Sequence, residues 1–336
     1  MGHEKFTWVD GERTIVFGEG AFEQAAQSVA AEDWEPFELL STARAVAGAP
    51  HALVGPAATI HEVPPGPVNE TSAALIGDVG TTNLLALGGG RVIDTAKAIA
   101  AANGGRVMAL PTTLSGAEMT RIHRLPEAHK AAAGLVRPTF VFADPLEMTA
   151  QSEPELRASA MNALAHGADS LYTPRANPVA RMAALEGARL IASGLDGSQD
   201  DGGRTDLALG SILSAYALDS ASFSLHHVIC QTLVRVMRIP HAETNAAILP
   251  RAIEALRDRG AAGMAELAVA LGTTENKIGV RVEGLAGGRR TLGAIGADKA
   301  LVEQAVDAML DRSRDLERTP DPPGREELHR IIESAW

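Results

Sequence analysis

Residues 84–100 read LLALGGGRVIDTAKAIA, an apolar run that stops at Gly88, Gly89 and Gly90 and restarts with helical periodicity. The pattern is that of a strand, a glycine turn and a helix. Three successive residues without a Cβ let the backbone turn sharply and turn its N–H groups toward a phosphate, and the helix that follows adds the positive end of its dipole. An ordinary strand-to-helix turn needs one glycine, so three favour an anion cradle. The spacing is not the G-x-G-x-x-G of the common dinucleotide fold, and the glycines alone do not name the ligand.

Such a unit needs a sheet with helices packed on its faces, and the neighbouring chain predicts one. Residues 14–17 form a short β-branched strand, an opening hairpin or edge, and 21–30 a helix. Residues 37–43 are a strand entering a hydroxyl-bearing turn at Ser41 and Thr42, and 51–55 are a second strand. Pro64, Pro65 and Pro67 make 57–69 an extended connection before a short helix over 70–76. After the glycine helix, 106–110 are a buried strand that closes at Thr112, Thr113 and Ser115, and 138–145 carry one more strand. Hydroxyls at the carboxyl end of a parallel strand suit phosphate and ribose contacts. Alternating strands and helices indicate a doubly wound α/β domain.

From Ser152 the pattern is nearly all helical, starting with a capping serine, early acids and Pro154. Asn162 and His166, four apart, share one face of that helix. Asn177-Pro178 opens another helix, 193–203 are a polar loop, and 205–238 are a long apolar-periodic stretch containing His226, His227 and Cys230. A break at Ile239-Pro240-His241 leads into a further helix. The fold class expected is an α/β N-terminal dinucleotide-binding domain over 1–147 and an all-α C-terminal domain over 148–336. With aromatic residues at only 4% and Ala and Gly abundant, the helices are expected to pack closely.

A net charge of −12 leaves no basic field for nucleic acid or an anionic membrane, so an anionic substrate has to be held by local groups. The single cysteine, Cys230, excludes an internal disulfide and fits a reducing compartment; it reads as packing, not as a nucleophile. No secretory leader and no membrane-spanning run are expected, which makes the cytoplasm the expected location. His166, His227 and His241 recur in apolar surroundings together with Asn162. Converging imidazoles can bind a divalent metal or act as acid and base. The carboxamide of Asn162, however, is a neutral and poor metal donor.

These segments together resemble the iron-containing (type III) alcohol dehydrogenase superfamily, and within it the maleylacetate reductase branch. The likeness rests on Gly88–Gly90 with Asp94 and Lys97, on residues 111–120, on Met161-Asn162-Ala163 with His166, on Asn177-Pro178, on His226-His227, and on Pro240-His241-Ala242-Glu243-Thr244; it runs through nearly the whole chain. It implies the architecture shared with dehydroquinate synthase, with the active site between the two domains. It further implies that Gly88, Gly89 and Gly90 take the pyrophosphate of NADH or NADPH, with Thr112, Thr113 and Ser115 on its phosphates and ribose. Asp94 stands at the start of the helix, and Lys130 matches a lysine near the nicotinamide ribose. Thr42 occupies the position where NAD-preferring relatives often carry an acid; with Arg44 close by, both cofactors stay open. Metal-dependent relatives hold a divalent ion with an aspartate, a histidine four residues on, and two histidines fourteen apart, which here correspond to Asn162, His166, His227 and His241. The implied reading is a metal-free reductase in which His227 or His241 protonates an alkoxide as hydride reaches a ketone carbon. Were a metal bound, His166, His227 and His241 would hold it.

The sequence departs from the family pattern at Gln231, Asn245 and Arg251, positions that are often histidine. The substrate expected is a small oxo acid, maleylacetate reduced to 3-oxoadipate, with Arg121, Arg235 and Arg238 as candidate carboxylate partners. Another ketone or aldehyde of a specialised biosynthetic pathway, a metal-dependent alcohol dehydrogenase, a sugar phosphate cyclase and a catalytically silent homologue are the alternatives. A homodimer is expected, with residues 14–17 pairing across a two-fold axis.

Overall fold

A computed structural model describes residues 6–10, 13–31, 34–130, 134–197 and 201–336. The chain forms two compact units, Met1–Ala150 and Gln151–Trp336.

The first unit is built on one sheet: β1 (Phe6–Asp10), β2 (Arg13–Phe17), β3 (Glu38–Ser41), β4 (Thr59–Glu62), β5 (Asn83–Gly88), β6 (Arg106–Pro111) and β7 (Phe140–Ala143). Their order across the sheet is β1-β2-β7-β6-β5-β3-β4. Every pair is parallel except β1 with β2. The central strands are buried on both faces, which is why β5 and β6 read as continuous apolar runs and not as alternations. From β3 the chain moves outward to β4 and then returns to the other side of β3 for β5, so the strand order reverses between β3 and β5. The carboxyl ends of such a reversal are where open α/β sheets bind ligands.

Three sequence expectations in this unit are corrected. Residues 51–55 are not a strand: His51–Val54 is a short helix in which only Leu53 is buried. The strand lies instead at Thr59–Glu62, inside the stretch read as an extended connection, and of its four residues only His61 is buried. A strand at the sheet edge has almost no apolar pattern to give it away, while a run as short as Ala52-Leu53-Val54 fits helix and strand alike. Nor are residues 14–17 free to pair with a second copy: β2 lies between β1 and β7.

The second unit is helical. Its Glu153–Ser170 helix opens with a capping box in which Ser152 Oγ and Glu155 face each other, and it is buried from Ala158 to Ser170 without a break. A helix buried on every side shows no amphipathic stripe and forms the centre of its unit. Around it the helices approach through small residues: a Cβ on Gly187 of the Pro178–Asp196 helix would sit 2.5 Å from Ser214 Oγ and 2.9 Å from Gly210 O of the Asp201–Ala221 helix. The stretch expected as a polar loop over 193–203 is mostly helix, running to Asp196 and resuming at Asp201, with 198–200 outside the described residues. The long run over 205–238 divides at Ser222, whose φ of +72° ends one helix before Leu225–Met237 begins. No helix among the described residues is long and apolar enough to cross a membrane.

Candidate active site

In the first unit the glycine turn stands at the strand reversal. Gly88 ends β5 with φ +155°, and a Cβ there would lie 2.8 Å from Val92 Cγ2, so no other residue fits without displacement. Gly89 is the N-cap of the Gly90–Asn103 helix and no side chain caps it, which leaves first-turn N–H groups available to an anion. The hydroxyl residues after β6 face the same glycines. A Cβ on Gly89 would sit 3.1 Å from Thr113 Oγ1, and one on Gly90 would sit 3.1 Å from Ser115 Oγ. Thr112 N donates to Gly88 O at 3.1 Å, stitching the two turns together. On the other side of the reversal Ser41 Oγ donates to Leu87 O at 2.7 Å, and Thr42 caps the Ala43–Gly48 helix by accepting from Ala45 N. Gly88, Gly89, Gly90, Thr112, Thr113, Ser115 and Thr42 are therefore brought together.

Lys97 holds this geometry. Its ammonium is fully buried and donates to Asp94 Oδ1 at 2.8 Å, to Ala117 O at 2.9 Å and to Ile122 O at 3.0 Å. It ties the loop after Ser115 to the glycine helix, and Asp94 supplies the opposite charge that makes burying it tolerable. Next to it Glu118 is completely buried, and neither carboxylate oxygen has a partner. Burial pushes its carboxyl up to about 7, against the opposing pull of its own backbone N–H, Lys97 and Arg13. Lys130 is exposed and pairs with Glu127. Arg121 lines a pocket with Arg13, Arg106 and Thr139 at the amino ends of the strands, the opposite end of the sheet from the glycine turn, so it does not join the cradle.

In the second unit the histidines gather on two helices. His166 and His227 stack with ring centroids 5.0 Å apart, and His226 meets His227 edge-on at 5.0 Å. All three are buried, as is Asn162. The residue that organises them, Asp169, is one that sequence reasoning did not single out. Asp169 Oδ2 accepts from His227 Nδ1 at 2.7 Å and from the backbone N–H groups of Ser224 and His227 at 3.1 and 3.3 Å, and Tyr172 donates to Oδ1. Burial alone would raise its carboxyl; the bonds and charges from His227, His226 and Tyr172 outweigh that and bring it down to about 2. Its position three residues after His166 and seven after Asn162 put it on their helix face and was the available signal.

Two of the other imidazoles, His166 and His226, are kept neutral. Burial drives His166 well below its usual value, helped by His227 and His241, and takes His226 down to about 3. His226 spends one ring nitrogen on Cys230 Sγ at 3.3 Å, and burial pushes that thiol far up, so Cys230 packs and does not react. His241 is exposed at the first turn of the His241–Asp258 helix. His227 alone among them has a buried carboxylate on Nδ1, and its Nε2 is buried with no hydrogen-bond partner. At the departures, Gln231 accepts from Arg312, Asn245 donates to His241 O and Arg251 pairs with Glu283.

Of the family's metal set the chain carries His166, His227 and His241. The charged ligand is replaced by the carboxamide of Asn162. Among the described residues the trio of donor atoms within 4.8 Å of one another is Asp169, His226 and His227, and Asp169 is already committed to His227 Nδ1. With Asn162 in place of the carboxylate, the set offers a divalent ion neutral donors alone.

The family description "Iron-containing alcohol dehydrogenase" matches residues 12–145, and "Fe-containing alcohol dehydrogenase family, C-terminal" matches residues 157–336. This chain belongs to that family. It is 31% identical to a maleylacetate reductase of Burkholderia cepacia over 96% of this chain and 95% of that protein. It is 33% identical to maleylacetate reductase 1 of Rhodococcus opacus over 75% and 72%. A crystal structure of maleylacetate reductase from Rhizobium sp. strain MTP-10005 superposes with a TM-score of 0.82 at 25% identity, covering 99% of this chain and 98% of that one. The chain is an oxidoreductase of the maleylacetate reductase-like branch, with the α/β and helical units of that architecture.

Proposed function

We propose that the chain is an NAD(P)H-dependent reductase of a small oxo acid, converting maleylacetate to 3-oxoadipate without a catalytic metal and with His227 as proton donor. The observation that carries this reading is the buried Asp169–His227 pair: a 2.7 Å bond fixes Nδ1 and leaves Nε2 without a partner. A carboxylate on Nδ1 fixes the tautomer and stabilises the imidazolium, the form that can give up a proton. His166 and His226, held neutral by burial, cannot take that role. Gly88, Gly89, Gly90, Thr112, Thr113, Ser115 and Thr42 hold the dinucleotide, its pyrophosphate on the uncapped helix start.

Maleylacetate is a dicarboxylate with a carbon–carbon double bond conjugated to a ketone, and 3-oxoadipate keeps the ketone. The net change is therefore hydride to the alkene carbon β to the carbonyl and a proton to the α carbon. Bound NAD(P)H supplies the hydride. The displaced π electrons reach the carbonyl oxygen as an enolate, not as the alkoxide that reduction of the ketone itself would give. His227 Nε2 donates its proton to that oxygen while Asp169 holds the ring, and the enol returns to the ketone by moving the proton to carbon. A reducing cytoplasm suits the buried Cys230 thiol, and the edge strand β1 supports a homodimer.

The test follows oxidation of NADH and of NADPH at the nicotinamide absorbance with maleylacetate, before and after stripping with a strong chelator. Rapid oxidation that survives chelation is expected. Activity lost to the chelator and restored by zinc or iron removes the His227 assignment, and no oxidation with either cofactor removes the substrate.

A further inference from the structure

Neither Arg235 nor Arg238 is placed to hold a substrate carboxylate, since both are exposed near the far end of the Leu225–Met237 helix. Positive charge reaches the histidines from elsewhere in the chain. Phe223 lies with its ring 5.7 Å from the His227 ring, and the guanidinium carbons of Arg312 and Arg318 lie 5.9 and 5.8 Å from the Phe223 ring. Asp315 Oδ2 accepts from Arg312 Nε and Nη2 at 3.2 and 3.0 Å, and Arg318 Nη1 forms an ion pair with Asp315 Oδ1 at 3.1 Å. Two guanidiniums thus share one carboxylate, which leaves one positive charge in a half-buried setting where the arginine side chains are 22% and 34% exposed.

The cluster is fixed, not draped. Ser224 Oγ donates to Asp315 O at 2.7 Å and shares a 2.6 Å hydrogen bond with Thr319 Oγ1. Ser224 is also the residue that opens the His227 helix and donates its N–H to Asp169. Arg318 Nη1 donates to Ser222 Oγ at 3.0 Å and to Phe223 O at 3.3 Å. Its Nε and Nη2 have no hydrogen-bond partner among the described residues. Arg312 Nη2 donates to Gln231 Oε1 at 3.0 Å. Gln231 stands one helical turn after His227, on the same face. An amide oxygen accepts from a guanidinium at every pH, whereas a protonated imidazole in its place would repel it.

We propose that Arg312 and Arg318 anchor the substrate carboxylate remote from the reacting double bond, and that Gln231 is a positioning residue that presents Arg312 to it. This rests on the oxo-acid reductase reading. A planar guanidinium takes a carboxylate through paired N–H donors, and on Arg318 the Nε–Nη2 pair is the open one, while Arg312, bonded to Asp315, Thr232 and Gln231, adds its charge beside it; Phe223 sets both one ring away from the proton donor.

The experiment compares maleylacetate with its monoester, in which the carboxylate next to the ketone methylene is masked, using Arg312→Gln, Arg318→Gln, Arg312→Lys and Gln231→Leu. NADH binding, read by fluorescence, reports that each variant is folded. Arg312→Gln and Arg318→Gln are expected to lower kcat/KM for the diacid on the order of 10–100-fold, chiefly through KM, and to lower it for the monoester by a much smaller factor. Arg312→Lys should recover part of the loss, and Gln231→Leu should raise KM for the diacid with kcat little changed. Equal losses on both substrates, or no loss on either, overturn the proposal and leave the reductase reading standing. A parent enzyme that reduces the monoester and not the diacid overturns the oxo-acid reading before any variant is made.

Discussion

Glu118→Gln is expected to stabilise the first unit at alkaline pH and to do little in acid. The carboxyl stands at about 7 in the folded chain against an ordinary 4.5, because it is buried with neither oxygen bonded. Between those values the folded state keeps a proton that the unfolded chain has released, so unfolding becomes easier as pH rises. The full stability is present below the unfolded value, and the loss is complete once the pH has passed the folded one. A displacement of about 2.5 units at about 1.4 kcal/mol each corresponds to about 3 kcal/mol, of which about 2.5 kcal/mol falls between pH 5 and pH 8. Glutamine has the same shape and no charge, so the variant should gain that amount over the parent across the interval. Urea unfolding of both proteins at pH 5 and pH 8 measures it, followed by tryptophan fluorescence, since Trp34 is buried in the same unit. A difference between variant and parent that is the same at both pH values would refute the reasoning. It would mean that Glu118 ionises freely in the folded chain.

Asp169→Asn removes the negative charge from His227 Nδ1 and is expected to lower kcat roughly 10–100-fold, the worth of a charge-assisted hydrogen bond; stopped-flow turnover should show this with the NADH dissociation constant unmoved. Gly90→Ala places a methyl 2.9 Å from Ser115 Cβ and 3.1 Å from its Oγ. It should weaken NADH binding about tenfold, or about 1.4 kcal/mol, in a fluorescence titration, and undiminished affinity would remove Ser115 and Gly90 from the cradle.

Much of this protein was legible in the order of its residues. The three glycines after an apolar run required a strand, a turn and a helix, because only residues without a Cβ fit where Gly88 meets Val92 and Gly90 meets Ser115. The helical half was legible from its capping box and its periodic apolar positions, and so was the shared face of Asn162 and His166. Local chemistry and helical spacing carry that information, and both are written within a few residues. The edge strand Thr59–Glu62 was not legible, because its hydrogen bonds to β3 come from a neighbour and its side chains carry no apolar stripe. Nor did the sequence separate His227 from His241 as proton donor. The proposed assignment to His227 rests on Asp169, 58 residues away along the chain, and on burial that keeps His166 and His226 neutral. Arg312 and Arg318 lie further still from His227, and nothing in their own neighbourhood sets them apart from any surface arginine. Sequence determined which groups the chain possesses and the elements that carry them; tertiary structure decided which acid meets which base, because a pairing across 58 residues is set by packing and desolvation and by no local rule.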